Sequence, residues 1–295
     1  MRVLVLGAGG MLGHKLVQRL PNHGVETWAG VRGGGDLSRF RFISERRVIG
    51  SVEAGEPESV RKAVRLAGPD VVVNAVGVIK QKEEAKHSAL TIEINALFPH
   101  RLHEICRDAG ARLVHISTDC VFSGSRGGYT EEDPTDAQDL YGRSKALGEV
   151  VSEGAVTVRT SIIGRELGTS HGLLEWFFSN AGGTVRGFTK AYFSGFTTGA
   201  LTDIIAGQIL PRRDLQGLYH VASERISKFD LLSRVNERLD LGITIEPDET
   251  LAIDRSLDGS KFARETGFRA PEWSEMIEGL AEDPSPYQEW RNLTT

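Results

Sequence analysis

Arg2-Val3-Leu4-Val5-Leu6-Gly7-Ala8-Gly9-Gly10-Met11-Leu12-Gly13 opens the chain with an apolar run that breaks directly into glycines and then into a helix-forming segment, Met11 to Leu20. A short run apolar at successive positions is buried on both faces, which is the demand of a parallel sheet covered by helices. Glycines between strand and helix let the backbone turn tightly and approach a pyrophosphate, whose charge is then met by the helix N-terminus. Gly7, Gly10, Met11, Leu12 and Gly13 are therefore the candidate cradle for a dinucleotide. The spacing is Gly-x-x-Gly-x-x-Gly; the more familiar Gly-x-Gly-x-x-Gly would require glycine in place of Leu12.

The same strand, turn and helix pattern repeats through the first 160 residues. Strand-like runs occur at Arg2 to Leu6, Val25 to Ala29, Arg47 to Ile49, Val71 to Val76, Arg112 to Ser117 and Thr157 to Arg159. Between the fourth and fifth, Leu90, Ile94, Leu97, Leu102 and Ile105 fall at helical spacing over Ser88 to Ala109, with Gly110 placed to end the helix. The expected class is α/β, a doubly wound Rossmann sheet over residues 1–160. Residues 161–295 lose the alternation and are expected to form mainly a smaller C-terminal substrate-binding lobe, with return segments to the first domain. That lobe carries helices near Leu201 to Leu210, Lys228 to Leu239 and Trp273 to Ala281, and a strand near Leu218 to Val221.

A chain of 295 residues with 40% hydrophobic and 25% charged residues can bury a real core and is neither disordered nor membrane-spanning in composition. Its longest apolar stretch, Val71 to Ile79, is interrupted by Asn74 and falls well short of the roughly 20 residues that cross a bilayer. The N-terminus lacks a signal-peptide pattern, so a cytoplasmic location is expected. Two cysteines, Cys106 and Cys120, cannot make a disulfide framework, and a net charge of −5 with mixed signs gives no nucleic-acid footprint. No histidine has ligand spacing; His14, His87, His100, His103, His115, His171 and His220 are scattered, and no metal is expected.

Three further features carry chemistry. The second strand run is followed by Gly30-Val31-Arg32 rather than by an acid. A guanidinium there suits a 2′-phosphate, which favours NADP over NAD, with NADH tolerated. Arg39 and Arg41 are nearby competitors for that role, while Asp36 lies too far into the loop to bind ribose. Tyr141 and Lys145 stand four apart at the start of a helix and so share a face. A phenol titrates too high for efficient proton transfer at neutral pH, and a fixed ammonium lowers it. Thr118, in Ser117-Thr118-Asp119 at the end of the fifth strand, can add a hydroxyl hydrogen bond to the same substrate oxygen.

The ordered set Gly7-x-x-Gly10-x-x-Gly13, Asn74-Ala75-Val76-Gly77, Asn95, Ser117-Thr118-Asp119-Cys120-Val121-Phe122-Ser123-Gly124 and Tyr141-Gly142-Arg143-Ser144-Lys145 resembles an extended short-chain dehydrogenase/reductase. More narrowly, Val121-Phe122-x-Gly124, Tyr141-Gly142-x-Ser144-Lys145 and Arg159-Thr160-Ser161 resemble the dTDP-4-dehydrorhamnose reductase family. The resemblance implies an NADPH-dependent reductase of a nucleotide-linked 4-keto-6-deoxyhexose, supplying a deoxysugar for cell-surface polysaccharide. Tyr141 would protonate the C4 oxygen as hydride arrives from the nicotinamide. Lys145 would lower its pKa and hold the nicotinamide ribose, and Thr118 would orient the carbonyl. Asn74, Ala75, Val76, Gly77, Asn95, Ser117 and Thr160 would line the cofactor, and Val121, Phe122 and Ser161 the sugar. The family commonly has an aromatic residue after the Thr-Ser pair; this chain has Ile162.

That departure keeps a UDP-2-acetamido-2,6-dideoxy-4-ketohexose open as substrate. A sugar-nucleotide epimerase and a non-catalytic NADP-binding regulatory subunit also remain as readings. The related 4,6-dehydratases follow their threonine with Asp-Glu; here Thr118 precedes Asp119-Cys120. The ligand cleft is expected between the two domains, and a homodimer is compatible with the family. Arg186 and Lys190 are candidates for the substrate diphosphate, with Phe193 or Tyr192 stacking on base or sugar, in a stretch from Val185 to Thr198 whose glycines suggest a mobile loop. Trp176 is a further candidate for ligand contact. Trp28, Trp273 and Trp290 read as packing residues, Glu131, Glu132 and Asp133 as a solvated turn, and Cys120 as a small buried hydrophobe.

Overall fold

In chain order the strands of the first half are β1 (Arg2–Leu6), β2 (Glu26–Gly30), β3 (Val48–Ile49), β4 (Val71–Asn74), β5 (Arg112–Ile116) and β6 (Ala155–Arg159). Its helices are α1 (Met11–Arg19), α2 (Pro57–Ala67), α3 (Ser88–Ile92), α4 (Phe98–Asp108) and α5 (Leu140–Leu147). The structure, a computed structural model, describes residues 1–33, 43–79, 87–167, 170–287 and 289. Asp36, Arg39, Arg41 and Trp290 lie outside the described residues.

The chain divides into two compact units. The first comprises Met1–Ser117, Gln138–Val158 and Thr202–Leu218; the second comprises Thr118–Ala137, Arg159–Leu201 and Tyr219–Thr295. Where the sequence suggests a boundary near residue 160, the second unit takes Thr118–Ala137 out of the first half and the first unit takes back Thr202–Leu218.

A seven-stranded sheet runs in the order β11-β6-β5-β4-β1-β2-β3, with β11 (Gly217–His220) supplied from late in the chain. The pairings from β6 through β3 are parallel. Strand order reverses beside β1, with β2 and β3 on one side and β4, β5 and β6 on the other, and such a switch point opens a crevice at the carboxyl ends of the strands. The register brings Leu6 level with both Gly30 and Asn74, and Asn74 level with His115. The glycine loop and the residues after β4 therefore leave the sheet together, with Ala75 N donating to Leu6 O (3.1 Å) and Ala8 N to Gly30 O (3.2 Å).

Val60, Ala63, Val64 and Ala67 of α2 and Leu102, Ile105 and Cys106 of α4 form apolar stripes at helical spacing. They bury Leu4, Leu6, Val72 and Leu113 of the sheet in one core. The helix expected over Ser88 to Ala109 is interrupted by a π-helical turn, Glu93–Leu97. Pro99 has no N–H for the carbonyl of Asn95 four residues back, and the ladder widens there. The fourth strand stops at Asn74 rather than Val76, because Val76 N turns to the Asn74 side chain (3.1 Å).

In the second half the strands are β7 (Ile162–Ile163), β8 (Thr184–Phe188), β9 (Ala191–Phe193), β10 (Phe196–Thr197), β12 (Ile226–Ser227), β13 (Thr244–Asp248) and β14 (Ile253–Asp254). The helices are α6 (Leu173–Phe178), α7 (Thr198–Ile204), α8 (Lys228–Leu239), α9 (Ser260–Thr266) and α10 (Trp273–Ala281). The stretch from Val185 to Thr198 is thus not a loop. It forms β8, β9 and β10, with β8 pairing β13 in parallel and β9 standing between β12 and β14. Its aromatics serve packing: Phe193 meets Trp273 edge-on at 5.5 Å between ring centres, and Phe196 packs near Phe268 at 6.3 Å. Phe122, Phe177, Phe196, Phe262 and Trp273 are fully buried and make this unit's core strongly aromatic.

Leu102 is fully buried against the sheet. Leu102→Ala is expected to lower the unfolding free energy by about 2–5 kcal/mol, measured by denaturant titration of the far-UV signal. A change below the lower bound would mean that the α4 stripe is not held against the sheet.

Candidate active site

Each glycine of the cradle has its own steric reason. Gly7 sits at φ +77°, and a Cβ there would come within 2.8 Å of Ala75 O. A Cβ on Gly13 would come within 2.0 Å of Gly7 O, so only glycine lets α1 start against the loop. Gly10 N donates to Gly7 O (2.9 Å), and no side chain caps the N-terminus of α1 at Met11 and Leu12. The loop is thus shaped for backbone approach by an anionic ligand, and the residues present fit a dinucleotide pyrophosphate.

Asn95 ties this edge to α5. Buried, it accepts from Val78 N (2.9 Å) while its Nδ2 donates to Val78 O (2.9 Å) and to Ser144 Oγ (3.3 Å). A Cβ on Gly77 would meet Asn95 Oδ1 at 3.4 Å, and one on Gly148 would come within 1.9 Å of Asn95 O. The α5 helix is capped by Asp139, whose carboxylate accepts from Gly142 N (2.9 Å). It carries half-buried Tyr141 and buried Lys145. Lys145 Nζ donates to Ile116 O at the end of β5 (2.8 Å). Burial pushes Lys145 down to about 8, partly opposed by the Glu149 carboxylate. Glu149 in turn accepts from Ser117 Oγ (2.8 Å). The ammonium four residues from the phenol is therefore fixed by a backbone carbonyl and poised near neutral pH.

Beneath it, Asn74 Nδ2 and His115 Nδ1 lie 3.0 Å apart, while His115 Nε2 is buried without a partner among the described residues. Burial, with Lys145 nearby, holds His115 well below the usual imidazole range, so it is a neutral acceptor for the amide. Arg32 is exposed two residues beyond β2. The sequence shows no acid beside it, but Glu53 Oε1 accepts from Gly33 N (3.2 Å), brought there by the turn after β3.

In the second unit Thr118 caps a short 3₁₀ turn, Asp119–Val121, accepting from Cys120 N (3.1 Å) and donating to Asp119 Oδ1 (3.2 Å). Asp119 N donates to Thr160 O (3.2 Å), and the Ser161 side chain also bonds the Asp119 carboxyl. Burial raises the Asp119 carboxyl above the usual range, against the pull of Arg255. Cys120 is half-buried, not fully so. Val121 and Phe122 are buried, and Phe122 stacks on Tyr129 at 4.1 Å.

Sequence reading missed a polar cluster behind Phe122. The Arg159 guanidinium lies over the Phe122 ring (5.1 Å) and 3.2 Å from His220 Nε2. His220 Nδ1 lies 2.9 Å from Tyr129 O, so its proton sits on Nδ1 and Nε2 accepts from Arg159. Burial, with Arg159 beside it, pushes His220 down to about 4. Glu131 lies in a turn, as expected, but is half-buried and not simply solvated: it accepts from His220 N (2.7 Å), and burial raises its carboxyl. No local pattern joins Glu131, Arg159 and His220, which meet only through the tertiary fold.

Other substrate candidates fall elsewhere in this unit. Arg186 on β8 lies 3.9 Å from Asp248, and Lys190 donates to Glu249 (2.6 Å), so both charges are answered by the β13 side of that pair. Phe193 is in the aromatic core, and Trp176 is exposed on α6. Among the described residues no group of three acidic, histidine or cysteine side chains is arranged to hold a metal.

A parallel sheet with a glycine cradle after β1 and a tyrosine–lysine pair on α5 defines a Rossmann-type chain of the extended short-chain dehydrogenase/reductase class. The chain belongs to the RmlD substrate binding domain family, whose model matches residues 1–284. It is 34% identical over 166 residues to dTDP-4-dehydrorhamnose reductase of Streptomyces griseus, a match taking in 54% of this chain and 49% of that protein. The chain thus spans about half the length of that curated relative. It is 24% identical over 253 residues to methionine adenosyltransferase 2 subunit beta of Danio rerio, covering 81% of this chain and 74% of that one. Its fold matches a crystal structure of dTDP-4-dehydrorhamnose reductase from Bacillus anthracis in complex with NADP, with a TM-score of 0.78 and 22% identity over 95% of this chain and 98% of that one.

Gly13→Ala places a methyl group against the Gly7 carbonyl. It is expected to weaken dinucleotide binding by at least about tenfold, a loss of one charge-assisted phosphate contact or more, read by fluorescence titration. Undiminished affinity would remove the loop from the dinucleotide site.

Proposed function

We propose that the chain is an NADPH-dependent reductase of the 4-keto group of a nucleotide-linked 4-keto-6-deoxyhexose. The observation that carries this reading is Lys145, buried on the helix of Tyr141 and held by Ile116 O. Membership of a family whose relatives include dTDP-4-dehydrorhamnose reductases supports the substrate class. When bound, NADPH supplies the hydride. The Gly7 to Gly13 loop and the open N-terminus of α1 hold its pyrophosphate, and Arg32 meets the 2′-phosphate. Tyr141 Oη gives its proton to the carbonyl oxygen, with the Lys145 ammonium lowering the phenol toward neutrality. The Thr118 hydroxyl donates to that same oxygen, as the family resemblance implies. The product is an activated deoxyhexose, the donor form required for addition to a cell-surface polysaccharide.

A second reading is favoured by the long match to an adenosyltransferase subunit: a chain that binds the nucleotide without turning over a sugar. Tyr141, Lys145 and Thr118 all being present weighs for catalysis. Cys120 after Asp119, in place of a second carboxylate, weighs against dehydration.

Purified protein is expected to oxidise NADPH with a member of a panel of dTDP- and UDP-linked 4-keto-6-deoxyhexoses. Tyr141→Phe should lower kcat by about 10²- to 10⁴-fold with NADPH binding intact. Turnover of none of the panel, with NADPH still bound, would favour the subunit reading; turnover without added reduced cofactor would favour epimerisation.

The pH dependence follows from Lys145. Its charge is needed beside Tyr141, and its pKa in the fold is lowered to about 8. The kcat/KM for reduction is therefore expected to fall as pH rises through about 8, an arm that Lys145→Met should abolish together with most of the rate. The stability sign is opposite: above that pH the unfolded chain binds more protons at this lysine than the fold does, so its burial penalty is relieved. A flat alkaline limb would disconnect Lys145 from the proton transfer.

Arg32→Ala should weaken NADPH about tenfold more than NADH, because only the former carries the phosphate. Equal losses would assign Arg32 to the loop alone.

A further inference from the structure

The backbone N–H of Val76 donates to the Asn74 side chain (3.1 Å). Such a donor can be met only by an acceptor, so the Asn74 carboxamide turns its oxygen to Val76 and its NH2 group away. The NH2 group faces His115 Nδ1 at 3.0 Å across the β4–β5 pair, in which Asn74 and His115 are level. That ring nitrogen is therefore the unprotonated one, and the ring proton sits on Nε2. Burial, with the charges of Lys145 and His100 adding to it, keeps the ring neutral. Polarity thus runs one way, from Val76 through Asn74 to His115. Both side chains are fully buried, so bulk water does not compete for either bond.

An imidazole is costly at this position. Its Nε2 is buried without a partner among the described residues, and a donor left unbonded in the interior is desolvated without compensation. Leucine or phenylalanine on β5 would avoid that penalty. What either would lack is the acceptor at Nδ1. The Asn74 carboxamide would then keep its bond to Val76 and bury an NH2 group with none. The imidazole also excludes the flipped amide, which would set oxygen against Nδ1 and NH2 against the Val76 N–H.

The peptide between Ala75 and Val76 is the wall against which the glycine cradle rests. A Cβ on Gly7 would come within 2.8 Å of Ala75 O and 3.0 Å of Val76 N. Ala75 N in turn donates to Leu6 O (3.1 Å). A rotation of that peptide is felt at Gly7 directly. Contact is therefore continuous from the imidazole through the carboxamide and the peptide to the glycine loop.

We propose that His115 is a positioning residue of the dinucleotide site: by accepting from Asn74 it fixes the carboxamide that holds Val76 N, and so sets the shape of the Gly7 cradle. This rests on the reading of that cradle as the NADPH site.

The test is fluorescence titration of NADPH into wild type, His115→Leu, His115→Asn, Asn74→Ala and the double variant His115→Leu with Asn74→Ala, each checked for folding by far-UV circular dichroism. His115→Leu should weaken NADPH about 5- to 10-fold, the factor that one neutral hydrogen bond represents. His115→Asn, whose Oδ1 stands in for Nδ1, should recover most of that loss. In the Asn74→Ala background, His115→Leu should weaken binding by less than about twofold more, because the residue it acts through is gone. Should His115→Leu fail to fold, His115→Phe, which keeps a ring without nitrogen, replaces it in both arms. Undiminished affinity in His115→Leu, no recovery in His115→Asn, or losses that multiply in the double variant would each overturn the proposal and leave His115 as a core residue. If wild type binds neither NADPH nor NADH, the dinucleotide reading fails and the proposal falls with it. Wild type that binds NADPH and reduces no sugar sinks the reductase reading only, since the test reads binding alone.

Discussion

The carboxamide of Asn95 is the joint on which the first unit's chemistry depends. It holds both backbone groups of Val78 and reaches Ser144, so the loop after β4 and the helix bearing Tyr141 and Lys145 share one fixed point. The joint is dry and has no slack, because Gly148 is pressed against the Asn95 carbonyl and any side chain there would collide. A buried amide with all its partners is rigid, and a partly satisfied one would be a liability. The π-helical turn belongs to the same device: the wider turn at Pro99 shapes the backbone that delivers Asn95.

Lys145 is sensitive to that geometry. An ammonium driven to about 8 by burial changes its charge with small changes in solvation, and the carboxylate of Glu149 opposes that drive, while the carbonyl of Ile116 holds the ammonium in place. The helix therefore supplies a charge whose strength is tuned by packing. A shift of α5 would alter proton affinity as well as distance.

Much of this was legible in the residues. The run Arg2 to Leu6 and its glycines gave the first strand and turn because local sterics decide them: Gly13 has no alternative against the Gly7 carbonyl. Tyr141 and Lys145 were visible because helical spacing is a local property. The stretch from Val185 to Thr198 was misread because its glycines and aromatics say loop when taken alone, whereas partners far along the chain, β12, β13 and β14, make it sheet. Glu131 and His220 were invisible as a pair for the same reason, being 89 residues apart. The ion pairs of Arg186 with Asp248 and of Lys190 with Glu249 were not legible because the partners are distant in sequence.

The return of Thr202–Leu218 to the first unit bears on how the chain is made. Arg112, on β5, is satisfied by the carbonyls of Ile209 (2.8 Å) and Leu215 (2.7 Å), Arg19 pairs with Asp203 (2.6 Å), and β11 covers the β6 edge of the sheet. As the polypeptide emerges from the ribosome, a nascent chain of 160 residues lacks all of these partners. It presents an open strand edge until nearly sixty more residues have been added. Completion of the first unit thereby follows synthesis of Arg159–Leu201, which belongs to the second.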